Sequence, residues 1–145
     1  MRMATSILGL HRPVSVFVVC VLAGFAGAEE KGPPGGVRFF EQKIRPVLVN
    51  QCYLCHSARA ATAGKLKGKL RLDTRAGTRA GGESGPAVVP GKPGDSLLIG
   101  ALRHESFKMP PKGRLPAGVI ADFVAWIKMG APDPRLSTNQ TTAQK

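Results

Sequence analysis

Cysteine and histidine are scarce in this chain, at three residues each. So few excludes a disulfide-stapled framework, and no second Cys or His pair exists to complete a four-ligand zinc site. Acidic residues are also few, nine against 21 lysines and arginines, for a formal charge of +12. Long apolar runs are missing apart from Val14 to Ala23, which is too short to span a bilayer as a stable helix. There is almost no alternation of the kind that marks strands, and no internal repeat.

Against that sparse background stands Cys52-Tyr53-Leu54-Cys55-His56, a C-x-x-C-H pentapeptide. Two cysteines at this spacing can each form a thioether to a vinyl group of one haem, and the adjacent histidine then lies under the iron as its proximal ligand. The pattern points to one covalently held haem c. The competing chemistries are zinc binding, which lacks its second pair, and a dithiol redox pair. The latter does not require the histidine and comes with a βαβ pattern that is not present.

The first 28 residues read as an export signal. Arg2, His11 and Arg12 form a basic start, the apolar run follows, and Ala26-Gly27-Ala28 suits a small-residue cleavage site. Cys20 lies inside the run and is read as part of the signal. Export and the pentapeptide agree, because haem is attached to such proteins outside the cytoplasmic membrane. The expected location is periplasmic or cell-envelope, with no membrane span once the signal is cut, or an N-terminal anchor if it is retained. The basic surface suits steered docking onto redox proteins with acidic surfaces, as a monomer or in a weak complex. A solvated face without a partner is the plainer alternative. Nucleic acid is not expected, since the charges are scattered and the chain is exported.

Residues 29–36 are rich in Pro and Gly and read as a flexible leader, with a folded domain over 37–135 and a polar disordered tail over 136–145. Phe40, Ile44, Val47 and Leu48 have helical spacing and predict a helix over 37–50, kinked or broken at Pro46. Residues 58–69 read as a surface loop. Asp73 is the expected N-cap of a short helix from Thr74 to Ala80, stopped by Gly81-Gly82. Residues 85–94 form a constrained Pro/Gly loop. Asp95 or Ser96 is expected to cap a helix to about His104, and Pro116 to open a last helix reaching Met129 before Gly130. The class is mainly α, three to four helices wrapped around one haem.

The chemistry then depends on the sixth iron ligand. Met109 precedes Pro110-Pro111, which hold the loop extended and present its sulfur at low entropic cost. Met129 at the end of the last helix suits a core or capping role better. His104 is the other candidate, although a histidine at a helix end also favours the dipole there. A methionine gives a closed electron carrier; an open site favours binding or activating small molecules.

The stretches Phe39-Phe40-Glu41, Ile44-Arg45-Pro46-Val47-Leu48, Leu70-Arg71-Leu72-Asp73, Gly85 to Pro93, Ser96-Leu97-Leu98, Lys108 to Lys112 and Trp126 to Pro132 resemble the planctomycete-type cytochrome c domain, a class I cytochrome c-like fold. The resemblance implies that Cys52 and Cys55 attach haem, that His56 is the proximal and Met109 the distal ligand, and that no residue is catalytic. It also implies that the first and last helices cross near Phe40 and Trp126, and that Leu72, Val88, Leu98 and Ile120 wall the haem. The function expected is one-electron transfer through Fe(II)/Fe(III) by an exported monohaem cytochrome. The alternatives are a haem-bearing sensor or docking module of a larger exported complex, and a haem enzyme with an open distal site.

Overall fold

A computed structural model describes residues 35–135. The signal over 1–28, all but the last two residues of the leader, and the tail over 136–145 lie outside the described residues. Gly35 forms a left-handed turn, and Gly36 already belongs to the first helix.

That helix, α1, runs through 36–52 without a break, but it is not uniformly α. Phe40–Ile44 and Leu48–Cys52 are π-helical turns on either side of Arg45–Val47. Pro46 brings no backbone donor and crowds the carbonyl four residues back. The wider π turns, with hydrogen bonds reaching five residues, flank that misfit, and the helix continues past Pro46 without a break.

Four further α-helices follow among the described residues. Residues 58–69 are not all loop: Ala58–Thr62 form α2, because Ser57 accepts the Ala60 N–H at 3.1 Å and caps the turn. α3 is Arg75–Ala80, and its N-cap is Thr74 rather than Asp73. Thr74 Oγ1 accepts the Gly77 N–H at 3.0 Å, while Asp73 is drawn away to the Ala58 N–H at 2.7 Å and to Arg71. α4 is Leu97–Leu102, ending two residues earlier than expected. Ser96 stands before it, but its hydroxyl donates to the Lys92 carbonyl and accepts from the Val89 N–H instead of capping. α5 is Ala117–Lys128, with Pro116 at the cap position and Gly130 in a left-handed conformation just beyond its end. Among the described residues there is no named strand, only an isolated bridge between Gly82 and Gly85.

The core forms where α5 crosses the first half of α1. Phe40, Ile44, Leu48, Phe123 and Ile127 are wholly buried, and Trp126 nearly so. The Phe40 and Trp126 rings lie 5.6 Å apart, Phe123 meets Trp126 edge-on at 6.2 Å, and the Trp126 indole N–H donates to the Pro132 carbonyl at 2.9 Å. Leu72, Val88, Leu98 and Ile120 join the same cluster, which ties the loops and α4 to the helix pair. No helix among the described residues is long and apolar enough to cross a membrane.

Candidate functional site: the Cys52–His56 turn

α1 delivers the chain directly into the pentapeptide. The N–H groups of Cys55 and His56 both donate to the Cys52 carbonyl, at 3.1 and 3.0 Å, which folds the two thiols and the imidazole into one tight turn. The segment 67–72 braces this turn from outside: Lys67 N–H donates to the Cys55 carbonyl at 3.1 Å, and Leu72 N–H to the His56 carbonyl at 2.9 Å. Ser57 Oγ donates to the Tyr53 carbonyl at 2.6 Å. The Asp73 carboxylate, holding both Arg71 and the Ala58 N–H, fastens the start of α2 just beyond.

The two cysteines are unbridged and differ in setting. Cys52 packs against the core, and burial, reinforced by the neighbouring Cys55, pushes its thiol up to about 12. A thiol so reluctant to ionise is a poor thiolate ligand or redox nucleophile. His56 is half-exposed, and burial lowers its imidazole against the opposing pull of the Leu70 and Lys67 carbonyls. Neither carbonyl closes a hydrogen bond to Nδ1, which is buried and unpartnered.

The candidate sixth ligands separate cleanly. Met129 packs on the core at the end of α5. Met109 is half-buried and is not among the side chains packed on that core. Its N–H donates to the Ala101 carbonyl at 3.3 Å, and the His104 N–H donates to the same carbonyl at 3.0 Å. His104 has left-handed backbone, φ 61°, and its Nε2 is buried without a partner. The structure thus suspends Met109 and His104 from one point at the end of α4.

These residues fit a covalent haem better than a bare metal. Among the described residues no three His, Cys, Asp or Glu side chains gather to hold an ion. An imidazole, two unbridged thiols and a methionine thioether are the kinds of donor that a haem c requires. Grooves of about 450 and 240 Å³ lie elsewhere, along α5 beside Arg103 and Arg114, and between Val47 and Val119. Neither is lined by the pentapeptide.

Sequence reasoning missed Arg135. Its guanidinium donates through Nε and Nη2 to the Asp133 carboxylate, through Nη1 to the Tyr53 hydroxyl and the Leu72 carbonyl, both at 2.6 Å, and weakly through Nη2 to Thr78 Oγ1. It also lies 4.9 Å over the Phe40 ring. Burial opposes its charge, but the bonds and charge of Asp133, joined by Tyr53, carry it above the usual arginine range. Nothing in Asp133-Pro134-Arg135, next to a polar tail, signals a buried pair.

No curated protein and no solved structure matches the chain. A family model does, over the stretch that opens at the first cysteine of the turn and closes just after the Met109 loop. Residues 52–113 match the model of the Planctomycete cytochrome C family, and the cytochrome c family to which that model belongs is typically one of haem-bearing electron carriers.

Proposed function

We propose that the protein is an exported monohaem c-type cytochrome that passes single electrons between redox proteins. The observation that carries this reading is the Cys52–His56 turn, where two unbridged thiols and an imidazole meet inside the segment that matches the family. Cys52 and Cys55 would hold one haem through two thioethers. His56 would offer its imidazole as the proximal ligand. Met109 offers its sulfur as the distal ligand. The haem, when bound, supplies the Fe(II)/Fe(III) couple.

The chain's own part is to hold both axial groups still, so that little reorganises when the charge changes. No side chain does acid–base or nucleophilic work, which makes this a carrier rather than an enzyme. The excess of lysine and arginine steers it onto acidic partner surfaces at rates that fall with salt. Export by the segment 1–28 places it in the periplasm or cell envelope, where haem attachment occurs.

One specific observation favours a second ligand set. His104 has a buried, unpartnered Nε2 and hangs from the same carbonyl as Met109. The test is the optical spectrum of protein expressed with c-type maturation machinery, oxidised and reduced, with and without carbon monoxide. The weak long-wavelength band of iron–sulfur bonding, lost in Met109→Ala and kept in His104→Ala, supports His/Met ligation. The reverse dependence gives the sixth position to His104. A ready carbon monoxide shift in the parent means an open site and refutes the closed carrier. Normal covalent haem in both Cys52→Ala and Cys55→Ala refutes the attachment.

A further inference from the structure

We propose that Arg135 is a positioning residue for the haem-attachment turn, acting as a clamp that reaches the pentapeptide through Tyr53 and Leu72. Five N–H bonds issue from its guanidinium and five are used, so it has no donor left for a propionate or any other anion. Its geometry is spent entirely inside the protein. Two of the five bonds lead to the site. One ends on the hydroxyl of Tyr53, a residue inside the pentapeptide next to Cys52. The other ends on the Leu72 carbonyl, and the N–H of the same Leu72 donates to the His56 carbonyl. Arg135 therefore braces the turn at both ends, beside the first cysteine and at the histidine.

The remaining bonds make the clamp rigid. Asp133 holds the guanidinium as a two-pronged pair, with side-chain exposures of 9% for Arg135 and 2% for Asp133. The Phe40 ring lies against it at 4.9 Å, so the clamp is anchored in the helix crossing itself. Tyr53 is kept protonated by burial, which outweighs the opposing effect of Arg135, and its oxygen stays a neutral acceptor. A lysine at 135 would keep the charge but lose the planar fork that reaches Asp133, Tyr53 and Leu72 together. The clamp thus sets how Cys52 and Cys55 are presented and how the His56 ring is oriented.

The test uses the full chain in two mild variants, Tyr53→Phe and Arg135→Lys, because Arg135→Ala would strand the Asp133 carboxylate and risk unfolding. Backbone hydrogen exchange is read over 52–57 and, as an internal control, over 117–128. Tyr53→Phe, which removes one clamp bond, is expected to speed exchange over 52–57 roughly five- to tenfold and Arg135→Lys at least as much, with 117–128 left as in the parent. No change over 52–57, or an equal rise in both segments, overturns the proposal. In the ferric haem protein, the g-values that report axial-ligand orientation should shift the same way in both variants, and no further in the double variant. Unchanged g-values reduce Arg135 to a core ion pair and overturn its positioning role. That role rests on the haem reading, but the exchange measurement does not. A parent protein without covalent haem would sink the function while exchange still decides whether the clamp exists.

Discussion

Phe40 joins the fold to the site, and replacing it measures both connections. The ring is wholly buried, faces Trp126 at 5.6 Å and carries the Arg135 guanidinium at 4.9 Å. Phe40→Ala removes the buried volume and leaves a cavity, a loss of about 3–5 kcal/mol. Phe40→Leu keeps most of the apolar volume and isolates what is specific to the ring. The aromatic pair contributes about 0.5–1.5 kcal/mol. The cation over its face adds about 1–2 kcal/mol, toward the upper end because Arg135 is desolvated. Phe40→Leu should therefore cost about 1.5–3.5 kcal/mol. A small domain has a total stability of about 5–15 kcal/mol, so even the mild variant should lower the melting temperature by roughly 10 °C. Urea unfolding followed by far-ultraviolet circular dichroism is the suitable assay, since Trp126 fluorescence would change with its neighbour. Combining Phe40→Leu with Arg135→Lys should give less than the sum of the single losses. A Phe40→Leu cost below about 0.5 kcal/mol, or full additivity of the pair, refutes the contact as an energetic one.

Three further outcomes follow from the braces around the turn. Gly82→Ala would place a Cβ 2.1 Å from the Gly68 carbonyl oxygen and 3.0 Å from the Leu70 side chain, pushing the 67–72 segment off the pentapeptide. It should cost about 1–3 kcal/mol and disturb the haem spectrum, and a native spectrum at native stability would show that the segment is not a brace. Asp73→Asn should lose about 1–2 kcal/mol at neutral pH. Hydrogen bonds from Arg71 and the Ala58 N–H outweigh burial and hold this carboxyl below its ordinary 3.8, so its stabilisation is complete above 3.8 and lost as pH falls through the lower folded value. Parent and variant should accordingly converge in strong acid, and a gap that persists there excludes the charge as its source. In haem-free protein with native circular dichroism, Cys52 should alkylate about a thousandfold more slowly than a free thiol at mildly alkaline pH, since only the thiolate reacts. Its buried thiol stabilises the fold fully below the unfolded value of 9.0, and that contribution is lost as pH rises toward about 12. Alkylation at the free-thiol rate would place Cys52 outside the core.

Local rules carried the reading where the deciding contact is local. The pentapeptide is contiguous, α5 is bounded by Pro116 and Gly130, and α3 is stopped by Gly81, so each was legible without tertiary knowledge. Where the deciding partner is distant, sequence could not choose. Asp73 and Thr74 are both good caps, and the choice falls to Thr74 because Ala58, 15 residues earlier, claims Asp73. α2 was hidden because its small, basic text has no apolar stripe, and only the Ser57 hydroxyl nucleates it. Arg135 was invisible for the same reason on a larger scale: its partners Tyr53, Leu72 and Thr78 lie 57–82 residues away. A charged residue beside a polar tail reads as surface until those contacts are seen.

The π turns of α1 show how the fold connects to the site. Phe40, Ile44, Leu48 and Cys52 are spaced by four. In an α-helix each such step runs about 40° past a full turn, so three steps would carry Cys52 well off the face that Phe40 begins. A π turn is wider, and four residues fall short of its full turn. Two π turns flanking Arg45–Val47 offset the drift, and the four side chains stay on the core side. That is what the exposures show: Phe40, Ile44 and Leu48 are wholly buried, and Cys52 packs on the same cluster. Leu54, in the middle of the turn that follows, is 77% exposed, and Cys55 and His56 are only partly covered. The irregular helix, rather than being a defect around Pro46, keeps one cysteine anchored in the core while the turn presents the second cysteine and the histidine beyond it.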